Sequence, residues 1–290
     1  MAYLSNPTET KAVLDMFGFS FAKKYGQNFL IDGNIVSNIV KNAGITKEDT
    51  VLEIGPGIGT MTQVLCEQAK NVIAVEIDKR LIDVLTFTLR DYDNVTVINS
   101  DILKCNIEEL CKQYSSNGRL KVVANLPYYI TTPIIMELLE KNNNSVIESI
   151  TVMIQKEVAQ RLCAAQGSAD GGAFSLFLQY YMETELLFDV PREKFLPAPK
   201  VTSAVIRCVR RSRPAVEVED ADFFFRCVRA AFVLRRKTLA NSLAAGLKGF
   251  DKAAIQSAIE AGGWSPSVRG EQLTLSDFAR LAQLLRSAQA

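Results

Sequence analysis

The chain has 290 residues, 48% hydrophobic and 22% charged, the balance of a water-soluble protein with room for one domain of ordinary size and a smaller one, which excludes a disordered chain or a fibre. No stretch approaches the ~20 apolar residues that span a bilayer, and acids and Pro7 interrupt the N-terminus where a signal peptide would be apolar, so a cytoplasmic protein with no membrane partner is expected. The net charge of +1 hides an asymmetry: residues 1–190 hold 16 Lys/Arg against 23 Asp/Glu, whereas residues 191–290 hold 17 against 9, the footprint of a polyanion-binding surface in the last third.

In chain order, Asn6-Pro7-Thr8-Glu9 opens a helix, with Asn as cap, Pro in the first turn and Glu three residues after the cap; it runs to about residue 16. Residues 23–30 (KKYGQNFL) read as a loop, and 34–43 as a helix with Ile35, Ile39 and Val40 on one face. Strands and helices then alternate. Strands are expected at 51–54, 72–77, 95–98, 121–124 and 147–154, and helices at 61–69, 80–90, 108–114, 132–141 and 156–165. Short apolar strands separated by helices make a parallel sheet covered on both faces. Residues 183–213 read as two more strands, a hairpin closing one edge. After Arg213-Pro214 the strand signals stop, and helices are expected near 220–233, 236–247, 251–261 and 275–286. The predicted architecture is an α/β domain over 1–213 and a small, basic, all-helical domain over 214–290.

The chain has no histidine, and its six cysteines show no C-x-x-C spacing. A zinc site is therefore not expected, and Ser-His, Cys-His or imidazole acid–base chemistry is removed. In a parallel α/β sheet, ligands bind at the carboxyl ends of the strands, and the informative clusters here all lie at such ends. Gly55-Pro56-Gly57-Ile58-Gly59-Thr60 follows the first strand; Thr60 stands where a dinucleotide fingerprint needs glycine. G-x-G-x-G after an acid, Glu53, is instead the pattern of S-adenosylmethionine (SAM) methyltransferases. Glu76 ends the second strand, 21 residues after Gly55, the spacing at which an acid accepts both hydroxyls of a cofactor ribose. Asp101 ends the third, where a carboxylate can receive an exocyclic amine; capping a loop is its competing role. Asn125-Leu126-Pro127-Tyr128 ends the fourth. An exocyclic amine is a poor nucleophile because its lone pair is delocalised into the ring. The Asn125 side-chain oxygen and the Leu126 carbonyl can hold its two N–H groups and turn that lone pair toward a methyl donor, while Tyr128 offers a face for an extruded base. No strong base is needed, because the proton becomes acidic once the nitrogen is alkylated. In the basic third, Arg207, Arg210 and Arg211 fall in one cluster and Arg235, Arg236 and Lys237 in another, both expected to contact phosphates.

Taken in order, Gln27-Asn28-Phe29-Leu30, EIGPGIGTMT at 53–62, Val75-Glu76-Ile77-Asp78, Asp101-Ile102-Leu103-Lys104, Asn125-Leu126-Pro127-Tyr128, FLPAPKV at 195–201 and Arg235-Arg236-Lys237-Thr238-Leu239 resemble the ribosomal RNA adenine N6,N6-dimethyltransferase family, its small-subunit branch in particular, over residues 20–290. The resemblance implies a Rossmann-like SAM-dependent methyltransferase sheet, SAM as methyl donor with S-adenosylhomocysteine as product, and no metal. It implies as substrate two adjacent adenosines in the 3′-terminal hairpin loop of 16S rRNA, each dimethylated on N6 within the small ribosomal subunit. Asn28, Leu30, Gly55, Glu76, Asp101 and Asn125 match cofactor contacts, with Gly57 in the same turn. Asn125, Leu126 and Tyr128 match the target-base site, and Phe195 the aromatic that covers the other face of the base. Tyr129 stands where members often carry His or Asn. A monomer is expected. Two alternatives stand beside this: the branch that dimethylates a large-subunit (23S) rRNA adenine, whose C-terminal domain is usually shorter, and a largely non-catalytic ribosome-assembly factor on the same fold. A NAD-dependent oxidoreductase is disfavoured by Thr60 and the missing histidine.

Overall fold

Five-residue strands as apolar as Thr50–Ile54, buried along their whole length, can only lie inside a sheet covered on both faces. The computed structural model describes Leu4 and residues 6–22, 25–139 and 145–288; Lys23, Lys24 and the expected helix end at 140–141 lie outside the described residues. The chain divides into two units, residues 1–159 with 185–210, and residues 160–184 with 211–290.

In the first unit, α1 (Pro7–Met16) is capped as the sequence suggests, the Asn6 side chain accepting from Glu9 N–H at 2.9 Å. A short strand β1 (Phe29–Leu30) follows, then α2 (Gly33–Asn42). The alternation builds β2 (Thr50–Ile54), α3 (Thr60–Gln68), β3 (Asn71–Glu76), α4 (Ile82–Thr88), β4 (Val95–Asn99), α5 (Ile107–Tyr114), β5 (Leu120–Asn125), α6 (Thr131–Leu139), β6 (Ile147–Gln155) and α7 (Lys156–Leu162). β7 (Met182–Val190), β8 (Phe195–Leu196) and β9 (Ser203–Arg210) complete the strands. The sheet order is β4-β3-β2-β5-β6-β9-β7, with β2 to β6 parallel and β9 antiparallel to β6. β7 and β9 are neighbours at one edge, as expected. Between them, β8 leaves the sheet and pairs with β1, Leu30 opposite Phe195 and Phe29 opposite Leu196.

The second unit carries α8 (Ala173–Tyr181), α9 (Ala221–Ala231), α10 (Leu239–Gly246), α11 (Lys252–Ala261) and α12 (Leu275–Ser287). The boundary expected at 213/214 is corrected by α8, a helix the sequence reading did not contain. Its residues AFSLFLQYY are apolar on several faces and rich in strand-favouring aromatics, so no one-sided period marks it. Those aromatics pack on α9: Tyr180 lies 5.5 Å from Phe224 and Phe177 5.0 Å from Phe225, ring centre to ring centre. Residues 160–184 thus join the helical unit because its core needs them. α10 begins at Leu239 rather than 236, leaving Arg235, Arg236 and Lys237 exposed on the turn after α9.

Phe224 is fully buried at the centre of that core. Phe224→Ala is expected to cost about 3–5 kcal/mol of unfolding free energy, read from denaturant titration; a loss under about 1 kcal/mol would mean the aromatic cluster is not what holds the unit.

Candidate active site

The carboxyl ends of β2, β3, β4 and β5 open on one cavity, which Gly55, Gly57, Glu76, Asp101, Asn125, Leu126 and Tyr128 line together with Asn28 and Leu30. The fold therefore collects every expected cofactor residue, and all but one of the expected target-base residues, in one place. The turn after β2 is built for close approach. Gly57 has φ of 61°, and a Cβ there would sit 2.9 Å from the Phe29 ring, so β1 can close over the turn only against glycine.

Glu76 is 4% exposed at the end of β3. Its Oε2 accepts from the Gly57 N–H at 3.2 Å and its Oε1 from the Asp78 N–H at 2.8 Å. Burial pushes its carboxyl up to about 7 against those two hydrogen bonds. Capping of the turn that follows belongs to Asp78 rather than Glu76, the Asp78 Oδ1 accepting from Arg80 N–H at 3.2 Å. Glu53, buried in β2 and also lining the cavity, is pushed up to about 8 by burial and by the neighbouring Glu76. Both acids hold a proton in the folded chain where the unfolded chain has released it. They make stability fall as pH rises from 4.5 towards 7 and 8. Asp101 does both things the sequence allowed: it lines the cavity, and its Oδ1 caps the following turn by accepting from Leu103 N–H at 3.1 Å.

Asn125 is held by one bond that fixes its orientation. Its Nδ2 donates to the Asn28 carbonyl at 2.9 Å, which leaves Oδ1 as the amide's acceptor. Tyr128 is anchored at its hydroxyl, 2.6 Å from Ser203 Oγ, and burial raises its phenol above the usual range. Tyr129, 60% exposed, lines the same cavity.

Phe195 does not join them. It is 3% exposed in the core beside Leu30 and Val36, and it is not among the cavity's lining residues. Pairing of β8 with β1 turns its ring under the sheet with Leu30, which corrects the expectation that it covers the base in this conformation. The first basic cluster is also dispersed. Because β9 runs antiparallel to β6, Ser203 lies at the site end of the sheet, and Arg207, opposite Thr151, and Arg210 run toward the other end. Arg207 is half-buried beside Gly44. Burial and the nearby Arg119 disfavour the Arg210 cation. In the second unit, Arg211 bonds the Gln179 carbonyl and Glu183, each at 3.1 Å, and so secures the end of α8.

The motif that contains Gln27 gives that residue no role of its own, and Ser203 and Arg80 carry no signal in the sequence. Gln27 bonds Asp78, 51 positions away in sequence, at 2.8 Å. No local signal reports such a contact; the one available pointer was that Gln27 directly precedes Asn28.

The chain matches the family described as ribosomal RNA adenine dimethylase over residues 18–273. It is 51% identical over 287 residues to ribosomal RNA small subunit methyltransferase A of Lachnoclostridium phytofermentans, covering 98% of each chain. It is 50% identical over 282 residues to the protein of that name in Streptococcus thermophilus, covering 96% of this chain and 97% of the relative. Among solved structures it is similar to the 23S rRNA methyltransferase ErmE, with a TM-score of 0.69 and 27% identity over 89% of this chain and all of that one. A dimethyladenosine transferase from Plasmodium falciparum shares the fold with a TM-score of 0.74, at 24% identity over 90% of this chain and 98% of that one. A sheet whose four strand ends meet in one cavity, with an acid, an amide and a tyrosine at the expected ends, fits those likenesses throughout, and the chain belongs to the ribosomal RNA adenine dimethylase family, acting as a SAM-dependent rRNA methyltransferase.

Proposed function

We propose that this protein transfers methyl groups from SAM to N6 of two adjacent adenosines in the 3′-terminal hairpin loop of 16S rRNA, dimethylating each during biogenesis of the small ribosomal subunit. The observation that carries the reading is the Asn125 amide, held by its nitrogen on the Asn28 carbonyl, in a cavity that Asn125 lines together with Glu76 and Asp101. Relatives about half identical along nearly the whole chain bear a small-subunit name, whereas the 23S enzyme ErmE is 27% identical, and this favours the small-subunit substrate.

The residues fit the cofactor. Glu76 at the end of β3, its carboxyl raised to about 7 by burial, can accept from a ribose diol, and Asp101 at the end of β4 can take the adenine amine. SAM supplies a methyl group on a positively charged sulfur. Asn125 Oδ1 and the Leu126 carbonyl accept the two N–H groups of the target amine, and Tyr128 stacks on its ring. A SAM held there would present its methyl carbon to the nitrogen lone pair, the new N–C bond replacing the C–S bond and the sulfur keeping that bond's electron pair. The proton leaves the alkylated nitrogen to water. Neither step needs a histidine. The same reading has the protein act as a cytoplasmic monomer without a metal ion.

For RNA, we assign phosphate contacts to Arg235, Arg236 and Lys237, which are exposed on the turn beside the exposed Val233 and Leu234. Arg211 is engaged by Gln179 and Glu183, and Arg207 and Arg210 are partly buried on β9 toward the other end of the sheet, so the three are given no phosphate.

Three outcomes follow. Asn125→Ala is expected to bind ribosomal particles as the wild type does but to slow single-turnover methyl transfer at saturating SAM by about 10²-fold; a rate near wild type would mean the amine is oriented by another group. SAM affinity, measured by calorimetry, is expected to weaken as pH falls from 8 to 6, because the Glu76 carboxyl takes a proton near 7 and loses acceptor strength. Glu76→Gln should bind SAM more weakly at pH 8 and lose that dependence, and an equal pH slope in the variant would remove Glu76 from the ribose. Replacing Arg235, Arg236 and Lys237 by Ala should flatten the plot of log particle affinity against log salt by up to ~0.7–0.9 per lost contact and leave SAM affinity unchanged; coincident slopes would clear these three of phosphate contact.

A further inference from the structure

A chain of hydrogen bonds runs from the ribose carboxylate to the target-base amide through residues 26–28. At one end, Glu76 accepts from the Asp78 N–H at 2.8 Å. The Asp78 carboxylate, 2% exposed as a residue, is clasped by Arg80: Nε to Oδ1 at 2.9 Å and Nη2 to Oδ2 at 2.6 Å. Arg80 also reaches the preceding segment, donating to the Ser20 carbonyl at 3.1 Å, with its guanidinium 4.9 Å from the centre of the Phe19 ring. Gln27 closes the clasp. Its Nε2 donates to Asp78 Oδ2 at 2.8 Å and its Oε1 accepts from the Ala22 N–H at 3.0 Å, so both ends of the side chain are engaged. The next residue supplies the carbonyl that holds Asn125 Nδ2 at 2.9 Å, and the Asn28 side chain braces the segment two peptides earlier by donating to the Gly26 carbonyl at 3.0 Å.

We propose that Gln27 is a positioning residue for methyl transfer: by bridging Ala22 and Asp78 it fixes the Asn28 carbonyl, and through that carbonyl the direction of the Asn125 acceptor. An amide rotates about its terminal torsion with little resistance, so Asn125 Oδ1 is aimed only as well as the carbonyl that holds Nδ2. That carbonyl lies just before the two-residue β1, whose register is set by its pairing with β8, and the Gln27–Asp78 bond ties the preceding residue to the turn after β3. The inference rests on the reading of Asn125 as the group that orients the target amine.

The test compares Gln27→Ala, Gln27→Glu and Asn125→Ala in single-turnover methylation of immature small-subunit particles at saturating SAM, with circular dichroism checking the fold of each. A misdirected acceptor costs roughly 10–100-fold, so Gln27→Ala is expected to slow transfer at least tenfold while particle affinity stays unchanged. Gln27→Glu keeps the acceptor for Ala22 but, when ionised, cannot donate to Asp78. Its neighbours in charge are Asp78 and Arg80, with Glu76 behind Asp78. Its rate relative to wild type at the same pH should therefore rise as pH falls from 8 to 6, because the new carboxyl takes a proton and regains a donor. That recovery is what a merely structural role would not give, and it carries the test alone if Gln27→Ala fails to fold. Gln27 variants within twofold of wild type, beside an inactive Asn125→Ala, would overturn the positioning role and leave Asn125 standing. Equal relative loss at pH 6 and pH 8 in Gln27→Glu would overturn it too. A wild-type rate in Asn125→Ala would instead overturn the reading on which the inference rests.

Discussion

The amide of Asn125 must present oxygen, not nitrogen, to a weakly nucleophilic amine, and the Asn28 carbonyl 2.9 Å from its Nδ2 enforces this. Everything around the cavity serves that orientation. β5 brings Asn125 to the end of the sheet. β1 brings Asn28 across to meet it, and β1 can lie there because Gly57 offers no side chain to the Phe29 ring. A chain without histidine has no imidazole to take a proton, and the two acids that titrate near neutrality in the cavity, Glu53 and Glu76, are both buried. Catalysis by geometry is the chemistry left to it, and alkylating a neutral amine is a reaction that geometry can serve, since the proton is lost only after the nitrogen has become cationic.

The cavity carries its acids at a cost to the fold. Glu53 and Glu76 lie on adjacent strands, both nearly inaccessible, and burial raises both. A protonated Glu53 spares the site a second negative charge beside Glu76. Glu76 itself, poised near 7, is left with two backbone N–H partners that favour its ionised form once a donor arrives. The stability that these two acids contribute is thus lowest under the conditions in which the ionised acceptor is most available, a trade between stability and binding confined to two residues.

The strands and most helices were legible because their signals are local: apolar runs, a cap such as Asn6, and glycines at a tight turn. The site was legible for a related reason. A parallel sheet puts every strand's carboxyl end on one side, so four motifs read separately had to converge. What escaped lay in pairing and packing. The β8–β1 pair turned Phe195 inward, the direction of β9 carried Arg207 and Arg210 away from the site, and α8 hid its period because aromatic partners surround it. Gln27 stood in a recognised motif, yet its partner Asp78 lies on another element, and only the folded chain joins them.

If Asn125 Oδ1 receives the target amine while Nδ2 stays on Asn28, a crystal structure with S-adenosylhomocysteine and an RNA fragment bearing the flipped adenosine will show both bonds. The adenine N6 is expected within hydrogen-bond distance of Asn125 Oδ1 and of the Leu126 carbonyl, its ring on Tyr128, with the Asn125–Asn28 bond intact. An N6 held by Asp101 or by solvent alone, or an Asn125 amide turned away from the Asn28 carbonyl, would contradict that arrangement.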